Sequence, residues 1–140
     1  MSTRDVDDVV AALQLGPHPE GGWYRETFRD DASSAILYAL RTGERSHWHR
    51  VRGSAEAWHH YLGDALALAI SVDGIAIETL ALGTDFAGRE LPQAVVPADA
   101  WQSAAPIAGG PHGFTLVGCT VAPPFRFEAF ELAPPGWAPG

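Results

Sequence analysis

Lysine and asparagine are absent from the 140 residues, and Cys119 is the only cysteine. Without lysine there is no Schiff-base chemistry and no phosphate loop built on a lysine. Without asparagine there is no acceptor for N-glycosylation. One cysteine excludes an internal disulfide and a cysteine-rich zinc site. Inside "FTLVGCTVA" it reads as a small buried hydrophobe rather than a nucleophile. No apolar run approaches the roughly 20 residues of a membrane span. The opening "MSTRDVDDVVAALQLG" places acids where a signal peptide has an apolar segment. The expectation is a soluble, cytoplasmic protein with no membrane partner. The formal charge of −8 argues against nucleic acid as a partner, because phosphate binding needs a basic surface.

The length suits one domain, and a hydrophobic content of 46% is enough for a packed core. Val6, Val9, Val10 and Leu13 recur at helical spacing, so a helix is expected over about 4–15, with Gly16-Pro17 stopping it. From there the pattern changes to short β-prone runs. They include "WYRETFR", "SAILYAL", "SHWHRV", "EAWHHYL", "ALALAISV", "WQSAAP" and "FTLVGCTVA". Gly, Asp and Pro pairs separate them, and Val72-Asp73-Gly74-Ile75 signals a tight hairpin turn. Many short strands behind one helix predict an all-β sandwich or barrel over about 22–133. The segment 134–140, "PPGWAPG", is expected to be a loose tail unless Trp137 docks on the body.

The segment "GERSHWHRVRGSAEAWHHYLG" holds four of the six histidines. In a strand, residues two apart share a face. His47 and His49 then share one face, and on the next strand Glu56, Trp58 and His60 share another. If the two strands form a hairpin, His47, His49 and Glu56 converge. Two imidazoles and a carboxylate suit a divalent transition metal with open positions. The ordinary alternative is a set of hydrogen-bonded histidines on a sheet.

The same residues resemble the first motif of the cupin superfamily, G-x5-H-x-H-x3,4-E-x6-G. Glu56 and Gly63 fit as they stand, whereas the spacings before His47 and after His49 depart from the pattern. The second motif, P-x-G-x2-H, resembles "PADAWQ", with Gln102 where the third histidine falls. Longer stretches are similar to the DUF985 (cupin_5) family: "PHPEGGWYRETFR", "GERSHWHRV", "EAWHHYLGDAL", "PQAVVPADAWQSA", "FTLVGCTVAP" and "FEAFELA". This resemblance implies a double-stranded β-helix, or cupin jelly roll, with one N-terminal helix, associating as a homodimer. It also implies a metal set of His47, His49, Glu56 and Gln102 for Ni, Zn, Fe or Mn. Gln offers only a neutral carbonyl oxygen, so a metal-free pocket is the competing expectation.

The front stretch "HPEGGWYRETF" carries the second group of candidates. His18 and Glu20 precede a Gly-Gly bend, and Tyr24 and Glu26 share a face of the strand that follows. Polar residues at such a bend belong to a pocket rim more often than to a core. Trp58 by parity, His60 by its shared face with Glu56, and Arg45 as an anion clamp complete the ligand-binding expectation. The catalytic candidates are His47, His49, Glu56 and Tyr24. They suit an epimerase, isomerase or lyase acting on a small molecule inside the barrel, with or without a metal. The alternative is a non-catalytic cupin that binds or senses a small ligand, and a storage role is a third reading. The fold alone selects none of these.

Overall fold

The computed structural model describes residues 5–140. The first element is helix α1, Val6–Leu13, capped by the Asp5 carboxylate, which accepts from the Asp7 N–H at 2.9 Å. Residue 4, the expected start, lies outside the described residues. The helix ends one turn before Gly16-Pro17, because Gln14 takes the left-handed conformation and its N–H closes onto the last carbonyls.

Eleven strands follow: β1 Gly16–Pro17, β2 Trp23–Arg29, β3 Ser34–Arg41, β4 Ser46–Val51, β5 Ala55–Gly63 and β6 Leu66–Ser71, then β7 Glu78–Leu82, β8 Gln93–Val96, β9 Trp101–Pro106, β10 Phe114–Ala122 and β11 Phe130–Leu132. They form two antiparallel sheets, in the orders β1-β2-β3-β10-β5-β8 and β11-β4-β9-β6-β7. This is the expected jelly roll. Alternation along each strand decides what is buried where. On β3, Tyr38 and Leu40 point between the sheets, and Leu37 and Ala39 point outward under Val6 and Val9 of the helix. The central core is filled by Leu66, Leu68, Ile70, Leu82, Val96, Val117 and Trp58.

Three expectations are corrected. First, β4 and β5 do not form a hairpin. β4 pairs with β9 and β11, whereas β5 pairs with β10 and β8, so the two strands face each other across the interior. Second, the turn at Asp73-Gly74 is wider than two residues. The Asp73 carboxylate takes the N–H groups of both Ile75 and Ala76, and ladder pairing resumes only at Ile70 and Glu78. Third, the tail is docked. Trp137 packs on Trp101 at 4.6 Å and edge-on to Trp48 at 6.4 Å between ring centroids.

Candidate functional site

One end of the space between the sheets is left unfilled. It forms a cavity of about 290 Å³, walled by β2, β3, β4, β5, β10 and the loop before β2. Tyr24, Glu26 and Arg29 come from β2, Ser34, Ile36 and Tyr38 from β3, and His49 and Val51 from β4. Glu56 comes from β5 and Cys119 and Val121 from β10. Phe125 and Phe127 add an aromatic rim, packed edge to face at 5.1 Å. At the same mouth Arg29 grips Glu26 through two bonds, at 3.0 and 2.8 Å.

The loop carrying His18 and Glu20 is not a rim but part of the interior wall. Its bend is possible because Gly21 and Gly22 both have positive φ. A Cβ on Gly21 would lie 2.1 Å from the Arg45 carbonyl oxygen, so only glycine lets the loop approach β4 so closely. The Tyr38 hydroxyl donates to the Gly21 carbonyl and ties the loop to the core. As a result Glu20 is buried, with one carboxyl oxygen accepting from Ser46 Oγ at 2.6 Å.

The other oxygen of Glu20 lies 3.3 Å from Nε2 of His49. Nδ1 of that ring is 2.8 Å from the His47 carbonyl oxygen, which can only accept, so Nδ1 carries hydrogen. The neutral ring therefore turns its Nε2 lone pair toward Glu20. Burial pushes the Glu20 carboxyl up to about 7, against the opposing pull of Ser46 and Tyr38. Burial also pushes the His49 imidazole down. Both shifts favour a neutral Glu20–His49 pair, in which a proton on Glu20 has His49 Nε2 as its acceptor. His18 is lowered to about 4, first by burial and then by His49. Its Nδ1 accepts the Glu20 N–H at 3.1 Å, so its neutral form carries hydrogen on Nε2.

Glu56 is the second buried carboxyl, also pushed up to about 7, first by burial. His49 pulls it down and Glu20 pushes it further up. Its Oε1 accepts from Gln102 Nε2 at 3.0 Å, and Gln102 Oε1 accepts from Trp58 Nε1 at 2.7 Å. Burial holds the Cys119 thiol well above its usual value, so it stays protonated beside the two carboxyls.

Of the residues expected at the site, the cavity wall gathers His18, Glu20, Tyr24, Glu26, His49 and Glu56. It does not include His47, Gln102, Trp58, His60 or Arg45. Parity fails for His47 because β4 carries a bulge. Ser46 pairs with Ala104 and His49 with Gln102, three steps on one strand against two on the other. His47 turns to the tail, with Nε2 3.0 Å from the Pro134 carbonyl oxygen. Trp58 obeys parity but is fully buried behind Tyr38, with ring centroids 6.0 Å apart. His60 lies further along β5, where Nε2 meets the Asp64 carbonyl oxygen at 3.0 Å. Arg45 donates to Ser103 Oγ at 2.6 Å.

These positions bear on the expected metal. Gln102 has committed its carbonyl to Trp58 and its amide hydrogens to Glu56, and His47 faces away. Among the described residues, no three His, Cys, Asp or Glu side chains converge on a point where an ion would sit. The expected set His47, His49, Glu56 and Gln102 therefore does not fit a metal in this geometry.

Arg29, Ser46 and Tyr38 went unrecognised in the sequence. Arg29 reaches the same wall as Glu26 through another bulge, between Glu26 and Phe28, which strict alternation cannot foresee. Tyr38 lay in a run, "SAILYAL", read only as a short β-prone stretch. Its hydroxyl was the signal, since a buried tyrosine needs a polar partner.

The fold and its internal acid–base cavity define a protein of cupin architecture. The chain belongs to the family described as Cupin superfamily (DUF985), whose model matches residues 7–133. Among solved structures it is similar to a Shewanella oneidensis protein, with 36% identity and a TM-score of 0.85, over 94% of this chain and 85% of that one. A hypothetical protein from Leishmania major matches at 29% identity and TM-score 0.85, over 92% and 87%. A Klebsiella pneumoniae protein with a double-stranded β-helix domain is 14% identical, with TM-score 0.62 over 88% and 93%, a likeness of fold alone. No curated protein matches the chain in sequence.

Proposed function

We propose that the protein is a small-molecule enzyme that moves protons at carbon, of the epimerase, isomerase or lyase type. The observation that carries this reading is the Glu20–His49 contact of 3.3 Å, with Nδ1 of His49 already committed to a carbonyl. A protonated acid with a built-in acceptor stands beside a second carboxyl that shares its field. Glu56 is the base, because its proton has no such acceptor in reach and Gln102 donates to its ionised form. Glu20, working with His49, is the acid. Tuning two carboxyls toward neutral pH by burial is how acid–base enzymes obtain both partners from one residue type. The cavity of about 290 Å³ suits a compact polar substrate, and the Arg29–Glu26 pair and the aromatic rim stand at its entrance.

The test is deuterium exchange from D2O into a panel of small keto acids, hydroxy acids and sugars, followed by proton NMR. It is run with wild type, Glu56→Gln and His49→Ala. Exchange at one carbon of one compound class, lost in both variants, supports the reading. A compound that raises the melting temperature yet exchanges nothing overturns it in favour of ligand binding without catalysis.

A further inference from the structure

We propose that Gln102 is a positioning residue that decides which oxygen of Glu56 carries the proton. The inference deepens the acid–base reading above and rests on it for its catalytic meaning. It begins at Trp58. An indole nitrogen only donates, so the amide oxygen of Gln102 must face it, at 2.7 Å. That leaves the amide NH2 for Glu56 Oε1, at 3.0 Å. An NH2 group cannot accept, so Oε1 must remain an acceptor. A proton arriving at Glu56 goes to Oε2. Since Oε1 is turned to Gln102, which is not part of the cavity wall, Oε2 is the oxygen left for the substrate.

The arrangement follows from the strands. Trp58 and Glu56 are two apart on β5, so they point to the same side. Gln102 rises from β9 in the opposite sheet, and one amide spans both partners. All three side chains are buried, which keeps water from replacing either bond or letting the amide turn. The groups that face Glu56 with charge or a titrating proton are His49, Glu20 and the Cys119 thiol, with His18 and Glu26 on the same wall. The Cys119 thiol also hydrogen-bonds the Glu56 carboxyl, and the contact that lies on Oε1 is that of Gln102. Gln102 does not line the cavity, and of its two side-chain hydrogen bonds only the one to Glu56 reaches a residue that does.

The consequence is measurable without a substrate. If the amide links the two side chains, ionisation of Glu56 alters the hydrogen bond at Trp58. The probe is the indole 15N–1H NMR signal of Trp58 across pH 5–9, assigned by its loss in Trp58→Phe. In wild type the signal is expected to move through the neutral range. In Glu56→Gln it is expected to stay fixed, which separates Glu56 from Glu20 and His49. In Gln102→Met, close in volume to the original side chain, it is expected to stay fixed although Glu56 still titrates. A wild-type signal that does not move, or an undiminished movement in Gln102→Met, overturns the inference. If Gln102→Met does not fold, the side-chain carboxyl carbon of Glu56 is followed in Trp58→Phe instead. Freeing the amide is expected to raise its midpoint by roughly one pH unit, since a donated hydrogen bond favours the ionised form. An unchanged midpoint there also overturns the inference. A failed substrate screen refutes the catalytic reading and leaves this result intact, so the two failures are distinguishable.

Discussion

Nε2 of His49 stands 3.3 Å from Oε2 of Glu20, while Nδ1 of the same ring is held by the His47 carbonyl oxygen. The pair therefore has one place for a proton and two groups to hold it. Burial pushes Glu20 and Glu56 both up to about 7, and ionised Glu20 raises Glu56 further. The pair loses its protons in two separated steps, the second higher than the first. On the proposed acid–base reading, the form with one proton is the active one. Activity is expected to fall on the acid side as the pair takes up its second proton and on the alkaline side as it loses its last. A bell-shaped profile centred near pH 7 checks this. A rate that keeps rising to pH 10 contradicts it.

The two carboxyls also set the pH dependence of stability. Their folded pKa values are raised, so the stability linked to protonation is fully present below the unfolded value of about 4.5. It is lost as pH rises through about 7. Glu20→Gln keeps the Ser46 hydrogen bond and removes the buried charge. At pH 8 it is expected to be more stable than wild type by on the order of 2–3 kcal/mol. At pH 4.5 the difference is expected to vanish. Urea denaturation at both pH values measures it, and an equal effect at both would mean that ionisation of Glu20 is not the cause.

Elemental analysis addresses the ligand set directly. With Gln102 bonded at both ends and His47 facing the tail, the chain purified without tag or chelator is expected to carry far less than one ion of Ni, Zn, Fe or Mn per molecule. Adding each ion is expected to leave the melting temperature unmoved, because an ion that binds only the folded state must stabilise it. A stoichiometric metal lost in His49→Ala would show that His49 swings away from Glu20 to bind it.

His47 is expected to be structural. His47→Ala breaks the contact with the Pro134 carbonyl, and Trp137→Ala removes the ring that packs on Trp48 and Trp101. The first is expected to cost about 1 kcal/mol and the second about 1–2 kcal/mol, with proton exchange unchanged in both. Chemical denaturation and the exchange assay check the two halves separately. Loss of exchange in His47→Ala with full stability would return His47 to the site.

The strands were legible because their hydrophobic periodicity and turn residues agree with the final packing. "WYRETFR", "SHWHRV", "WQSAAP" and "FTLVGCTVA" correspond residue for residue to β2, β4, β9 and β10. His49 and Glu56 were legible as a pair, although they meet across the interior and not along a hairpin. Glu20 was read as rim, because sequence does not reveal how far a Gly-Gly bend lets a loop sink. Gln102 was legible as a departure from a motif, but its work was not. That depends on Trp58, 44 positions away and on the facing sheet.

The bulge in β4 acts as a shift of reading frame in three dimensions. Two residues per repeat would have sent Trp48 inward with Ser46 and left both histidines outside. One extra residue resets the count after Ser46, so His49 and Val51 enter the cavity while Trp48 and Arg50 stay with Trp101 and the tail. The chemistry of the interior thus hangs on the length of a strand segment as much as on its letters. Removing a single residue between Ser46 and His49 would restore strict alternation and leave His49 and Val51 on the side of Ser46, so the extra residue is what lets both histidines and Trp48 be carried without turning His49 out of the cavity.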